Sequence, residues 1–219
     1  MRLLFTLLPL FIFQLSYGQS LKFEKSKKRN QIGMDISIGI SGVYKKKSKL
    51  GFSGAINYTR VSESGKWNYE FGIQYTQLNY TTDKEFSSYI PLSDTFRIRT
   101  GNILFFDTPV NFQRVFPMSE KMDLIINYGC FFTTYIKWFE RSDKYLTADE
   151  SFIQQNKRII KPFNYFKMGL DFGLGIKRYI SKSELLYLSA HLNSRFELDP
   201  VDGVTYFFPN IALGYRLSL

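Results

Sequence analysis

Ile32-Gly33-Met34-Asp35-Ile36-Ser37-Ile38-Gly39-Ile40-Ser41 alternates apolar residues with small or charged ones and never slips. Side chains on a strand point to opposite faces with period two, so this segment has one greasy face and one small, polar face. Alone, it reads as a half-buried strand whose isoleucines sit in a core. The copies that follow reverse that reading.

The first strand spans 31–44, and seven more segments repeat its pattern. A strand at 50–60 sets Leu50, Phe52, Ile56 and Tyr58 against Ser53, Ala55, Asn57 and Thr59. One at 67–79 places Trp67, Tyr69, Phe71, Ile73 and Tyr75 together. The fourth, about 97–116, is the least regular. Leu104, Phe106, Val110 and Phe112 share its even face, Ile103 and Phe105 interrupt the odd one, and Pro109 demands a bulge or a break in pairing. In the fifth, Met122, Leu124, Ile126, Tyr128, Phe132, Ile136 and Trp138 oppose Asp123, Asn127, Gly129 and Thr133. The sixth runs through Met168, Leu170, Phe172 and Leu174, the seventh through Leu186, Leu188 and Leu192, and the eighth through Ile211, Leu213, Tyr215 and Leu217. Short turns after the second, fourth and sixth strands alternate with mostly longer connections. Residues 80–96 read as a polar loop, and 139–161 as a charged loop open to a short helical turn. Short turns on one side and long loops on the other are the habit of outer-membrane barrels.

Two arguments decide where the apolar face points. An eight-stranded barrel interior has only just enough room for its own side chains, and roughly forty large apolar residues exceed it. The opposite face is rich in glycine, serine and asparagine, as at Gly169, Gly173 and Gly175, where a solvated surface would carry long charged side chains. The apolar face therefore looks outward to lipid. Aromatic residues make up 18% of the chain, which suits the aromatic girdles of such a barrel.

The flanks agree. Arg2, the apolar run from Leu3 to Leu15 and Ser16-Tyr17-Gly18 read as a secretory signal peptide at 1–18, too short for a transmembrane helix. Residues 19–30, polar and basic, read as a periplasmic tail. The expected fold is all-β: an eight-stranded antiparallel up-and-down transmembrane barrel over 31–219, in the cell outer membrane. Cys130 is the single cysteine, so no internal disulfide forms.

Leu104-Phe105-Phe106-Asp107-Thr108-Pro109-Val110-Asn111-Phe112, the glycine-rich Asp171-Phe172-Gly173-Leu174-Gly175-Ile176 and the closing Leu213-Gly214-Tyr215-Arg216-Leu217 resemble the PorT-like outer-membrane β-barrel family of Bacteroidota. The motifs are short and structural, and the chain ends in Leu219 where many outer-membrane barrels end in phenylalanine. The resemblance implies an eight-stranded outer-membrane fold and supplies no catalytic residue. Some relatives serve type IX protein secretion.

The inward set carries Asp35, Glu70, Asp123, Lys137, Lys167, Asp171, Lys177, His191, Arg195, Glu197 and Arg216. Buried charges have to be paired, and the signs are well mixed, so ion pairs plugging the lumen are expected rather than a charge-lined pore. Asp35 and Arg216 become neighbours at the closing seam if the register allows. His191, the only histidine, lacks the companions of a metal site, and no nucleotide motif or zinc spacing appears. Trp67, Tyr69, Tyr75, Trp138 and Tyr215 read as interface anchors. Lys45, Lys46, Lys47 and Lys49 form the densest basic run, a solubilising tip or a contact for lipopolysaccharide phosphates.

These readings point to a structural or interaction protein of the envelope, with no enzyme activity and no cofactor. Its expected partners are outer-membrane lipid, lipopolysaccharide and envelope or secretion proteins, and not nucleic acid, although the formal charge is +10. An accessory part in type IX secretion is the alternative. A lipid A-modifying enzyme is the third reading.

Overall fold

The computed structural model describes residues 30–43, 46–86, 95–160, 167–197 and 206–219, with side chains excepted at 43, 134–136, 160, 167 and 195–197. The segment read as a signal peptide and most of the segment read as a tail lie outside the described residues. Asn30, the tail's last residue, already belongs to the first strand.

The described strands are, in chain order, β1 (Asn30–Val43), β2 (Lys47–Val61), β3 (Trp67–Thr81), β4 (Glu85–Phe86), β5 (Thr95–Pro117), β6 (Met122–Leu146), β7 (Phe152–Ile160), β8 (Lys167–Tyr179), β9 (Glu184–Glu197) and β10 (Tyr206–Ser218). All but β4 and β7 join in an antiparallel ring of eight. β1 pairs with β10, and β5 with β6, so the sheet has no edge around its waist. Closure satisfies the backbone groups between strands, which lipid requires. The two additional strands, β4 and β7, pair with the ends of β5 and β6 beyond the ring.

The alternation resolves outside-out. Ile36, Ile56 and Ile73 are each at least 60% exposed, whereas Ser53, Asn57, Thr59 and Asn127 are buried. An apolar belt thus surrounds a small, polar interior, the arrangement of a membrane-spanning barrel. No helix among the described residues is long and apolar enough to cross a membrane; the crossing is made by strands.

Two apolar layers close the interior. Leu78, Tyr80, Ile103, Phe105, Tyr206 and Phe208, with Trp138 against them, fill the end that carries β4 and β7. Val115, Ile125, Leu185 and Tyr187, with Tyr179, fill the end that carries the short turns. Ile103 and Phe105, which break the alternation of the predicted fourth strand, are the side chains that build the first layer.

Two expectations need correction. Over its described residues, 139–160, the expected loop 139–161 is no loop with a helical turn. β6 continues to Leu146 and returns as β7, joined by a tip in which the Leu146 amide donates to the Ser151 carbonyl at 2.9 Å. Its two faces are both polar enough that no apolar period marks it. Second, Thr134 is an extra residue in β6, because Asp107 pairs with Thr133 while Phe106 pairs with Tyr135. A one-residue insertion reverses every later side chain. Trp138 therefore points into the barrel, not to the interface, and Lys137 lies on the outer wall beside Leu104, not in the lumen. At Pro109 the anticipated break in pairing is present: the ladder to β3 skips from Phe71–Val110 to Gln74–Asp107 without a change of register. Proline has no amide to give there.

Candidate functional site

Between the two apolar layers lies a network of charges. Arg216 donates from Nη1 to Asp35 Oδ1 at 2.5 Å, from Nη2 to Asp35 Oδ2 at 2.7 Å and from Nη2 to Glu70 Oε2 at 2.8 Å. A planar guanidinium with several donors suits such a double carboxylate clamp. The closing seam makes room for it. Arg216 faces Gly33 across β1–β10, and Asp35 faces Gly214. A Cβ at Gly33 would overlap Arg216 Cδ, and one at Gly214 would overlap Asp35 Oδ1.

The network continues through neutral groups. Asn57 donates to Asp35 at 2.5 Å, and Thr59 to Glu70 at 3.1 Å. Lys177 donates to Gln113 Oε1 at 2.7 Å, and Gln113 Nε2 donates to Glu70 at 3.3 Å. Asp123 is the cross-strand partner of Lys177 and accepts from Tyr179 at 2.8 Å. Of the remaining residues anticipated in the lumen, Lys167, Arg195 and Glu197 have backbones in β8 and β9, and their side chains lie outside the described residues.

Asp171 and His191 form a second cluster. His191 Nδ1 is 3.0 Å from Asp171 Oδ1, and His191 Nε2 is 2.6 Å from Ser189 Oγ. Hydroxyl, imidazole and carboxylate stand in the order of a nucleophile, base and orienting group. Sequence reasoning set His191 on a strand with Arg195 and Glu197 and gave Ser189 no role, although a spacing of two puts Ser189 and His191 on one strand face. Chemistry on an ester needs space that this site lacks. Ser189 is 2% exposed, and the adjoining polar cavity measures about 50 Å³, room for a few waters between two apolar layers. Tyr187 Oη also lies 3.3 Å from His191 Nε2. The cluster is suited to fixing β8 against β9.

The mouth beyond the Trp138 layer holds a third cluster that the sequence reading placed in a loop. Glu140, whose side chain is 2% exposed, accepts from Tyr80 Oη at 2.9 Å and from Arg158 at 2.7 Å. Arg99 stands 3.7 Å from it and Lys46 3.9 Å. Lys46 also lies 3.8 Å from the centre of the Tyr80 ring and 4.8 Å from that of Trp138. Burial there pulls the Lys46 ammonium below the usual lysine range, with Glu140 opposing the shift. Trp138 Nε1 donates to Tyr80 Oη at 2.6 Å, locking the layer beneath.

The rest of the basic run is dispersed. Lys47 pairs with exposed Asp83, Lys49 lines a groove on the outer wall at that end, and Lys45 lies outside the described residues. Among the anticipated anchors, Trp67 and Tyr69 sit on the outer wall near the short turns, in ring contact with Tyr128 and Phe112. Tyr215 donates to Glu184 at 2.8 Å at the same end. Tyr75 is level with Gly54 and Ile36, in the middle of the belt, and its hydroxyl donates to Gln77 at 3.3 Å. No group of three or more histidine, cysteine or carboxylate side chains able to hold a metal is found among the described residues.

No protein-family model matches the chain, and no curated protein matches it in sequence. Solved structures do resemble it. Neisserial surface protein A is 14% identical with a TM-score of 0.48, over 87% of this chain and 97% of that one. A major outer membrane protein from Thermus thermophilus is 11% identical with a TM-score of 0.45, over 86% and 99%. Ail, the attachment invasion locus protein of Yersinia pestis, is 12% identical with a TM-score of 0.40, over 87% and 99%. Likenesses this distant carry no functional argument. By its own closed ring of eight strands and outward apolar belt, the chain is a β-barrel of the outer membrane.

Proposed function

We propose that the chain is a non-enzymatic structural or interaction protein of the cell envelope, with a closed lumen and a raised sheet that meets partners outside. One observation carries this reading. The interior is filled from end to end, by an apolar layer, an ion-pair network, a second apolar layer and the Glu140 cluster, while β5 and β6 run to 23 and 25 residues and rise past the ring. The excess over the 14 residues of β1 is on the order of 30 Å of strand. The end with short turns also holds Asn30 and Leu219, the first and last described residues, and faces the periplasm; the raised sheet faces outward. Planar-bilayer recording tests the closed lumen. The purified barrel should give no stable conductance, and large, long-lived channels would refute it.

The PorT-like resemblance favours a second reading, an accessory part in type IX protein secretion, because the stretch 104–112, the glycine-rich 171–176 and the closing 213–217 carry that likeness. Comparing the secreted proteome with and without the gene separates the two. Unchanged export supports the envelope role; loss of exported proteins supports secretion. A lipid A-modifying activity would have to use the enclosed Ser189–His191–Asp171 cluster. Unaltered lipid A acyl chains on deletion would leave it without support.

A further inference from the structure

The outer wall changes character above the Thr134 bulge. Leu104 ends the apolar belt on β5, with Lys137 beside it on β6. One step higher, Asn79, Asn102, Phe139 and Ile159 lie side by side across β3, β5, β6 and β7. The next row sets Thr100, Arg141 and Lys157 in line. A groove of about 600 Å³ follows these rows, and Lys49 reaches it from β2.

We propose that this groove binds the phosphate-bearing headgroup of a membrane lipid in the leaflet at that end of the barrel. The inference rests on the membrane-spanning reading above and adds a ligand class to it. Height is the first argument: the groove sits directly over the apolar belt, at headgroup level. Charge is the second. Arg141, Lys157, Lys49 and, one row below, Lys137 are gathered there; of the two carboxylates nearby, Glu140 is already paired with Arg158, and Asp143 accepts from Arg141 Nε at 2.9 Å. That bond holds the Asp143 carboxyl below its usual range and fixes the guanidinium, which stays half exposed. Shape and polarity supply the third. Phe139 and Ile159 offer apolar surface to the start of an acyl chain, and Asn79, Thr100 and Asn102 give the groove polar wall beside the cations. The lysine turn itself is not the site, since Lys46 turns in toward Glu140 and Lys47 is held by Asp83.

Native mass spectrometry of the full chain, refolded in detergent micelles, tests this. The probe is bisphosphorylated lipid A, compared with the same lipid stripped of its phosphates. Wild type should retain the phosphorylated lipid, and the double variant Arg141→Glu/Lys157→Glu should retain at least about tenfold less, since two cations that attract the anionic headgroup become anions that repel it. Lys66→Glu, in the short turn at the opposite end, should match wild type. Equal retention of the dephosphorylated lipid, equal retention by the double variant, or displacement by an excess of inorganic phosphate would each overturn the lipid-phosphate site. A heat-shift gel on the same samples separates the two failures. Folded barrels that ignore the lipid refute only the site, whereas a wild-type chain that never forms a barrel refutes the membrane reading beneath it.

Discussion

Replacing Arg216 with leucine strands two carboxylates inside the barrel. Asp35 and Glu70 would lose the three bonds of 2.5 to 2.8 Å that the guanidinium gives them, with Arg216 and Glu70 themselves only 4% and 6% exposed. Removing one partner of a buried ion pair costs about 3–5 kcal/mol. Asn57 still donates to Asp35, and Thr59 and Gln113 to Glu70, so the loss belongs at the lower end, about 3 kcal/mol. That is roughly a hundredfold in the folding equilibrium. Urea titration in phosphatidylcholine vesicles, followed by tryptophan emission, measures it. A companion variant discriminates the mechanism: Asp35→Asn/Glu70→Gln/Arg216→Met removes every charge and should return to within about 1 kcal/mol of wild type. If Arg216→Leu unfolds with wild-type stability, or the triple variant fares no better than the single one, the ion network does not hold the seam.

Two further outcomes test the same geometry. Gly214→Ala sets a methyl against Asp35 Oδ1 at the seam and should destabilise by about 1–3 kcal/mol in the urea titration, whereas Gly54→Ala, whose new Cβ meets only the Asp35 carbonyl at 3.9 Å on the outer wall, should stay within about 0.5 kcal/mol. Brominated lipid should quench the fluorescence of the Trp138→Phe protein, which retains only Trp67 on the outer wall, and spare that of Trp67→Phe, which retains Trp138 in the lumen. Strong quenching of both would mean that the Thr134 bulge does not turn Trp138 inward.

The strands were legible because period-two alternation is a direct image of a two-faced wall, and eight copies leave too many apolar side chains for one small interior. Ile36 and Asp35 are assigned to lipid and lumen by that argument alone. The inner apolar layers were not legible. Ile103 and Phe105 register only as interruptions, and nothing local tells an interruption from a plug until β3 and β10 bring Leu78, Tyr80 and Phe208 beside them. The bulge hides for a related reason: Ile136 and Trp138 continue the apolar pattern of Phe132, so the residues look regular where the backbone is not. Glu140 and Arg158 were lost because a hairpin polar on both faces has the composition of a loop. Its pairing comes from the register between β6 and β7, not from an apolar stripe. Of the lumen chemistry, Asp35 and Arg216 were visible as parity on two strands, while Ser189 beside His191 became visible only through distance.

Spin labels along β1 reach the central claim most directly. Single cysteines at positions 32 to 41, in a Cys130→Ser background in vesicles, report oxygen and water-soluble relaxant separately. Labels at Ile32→Cys, Met34→Cys, Ile36→Cys, Ile38→Cys and Ile40→Cys should show high oxygen access and exclude the soluble relaxant, while Asp35→Cys and Ser37→Cys should be shielded from both. The opposite phase, with the isoleucine positions shielded and Asp35 and Ser37 open to lipid or water, would contradict an outward apolar belt around a closed lumen.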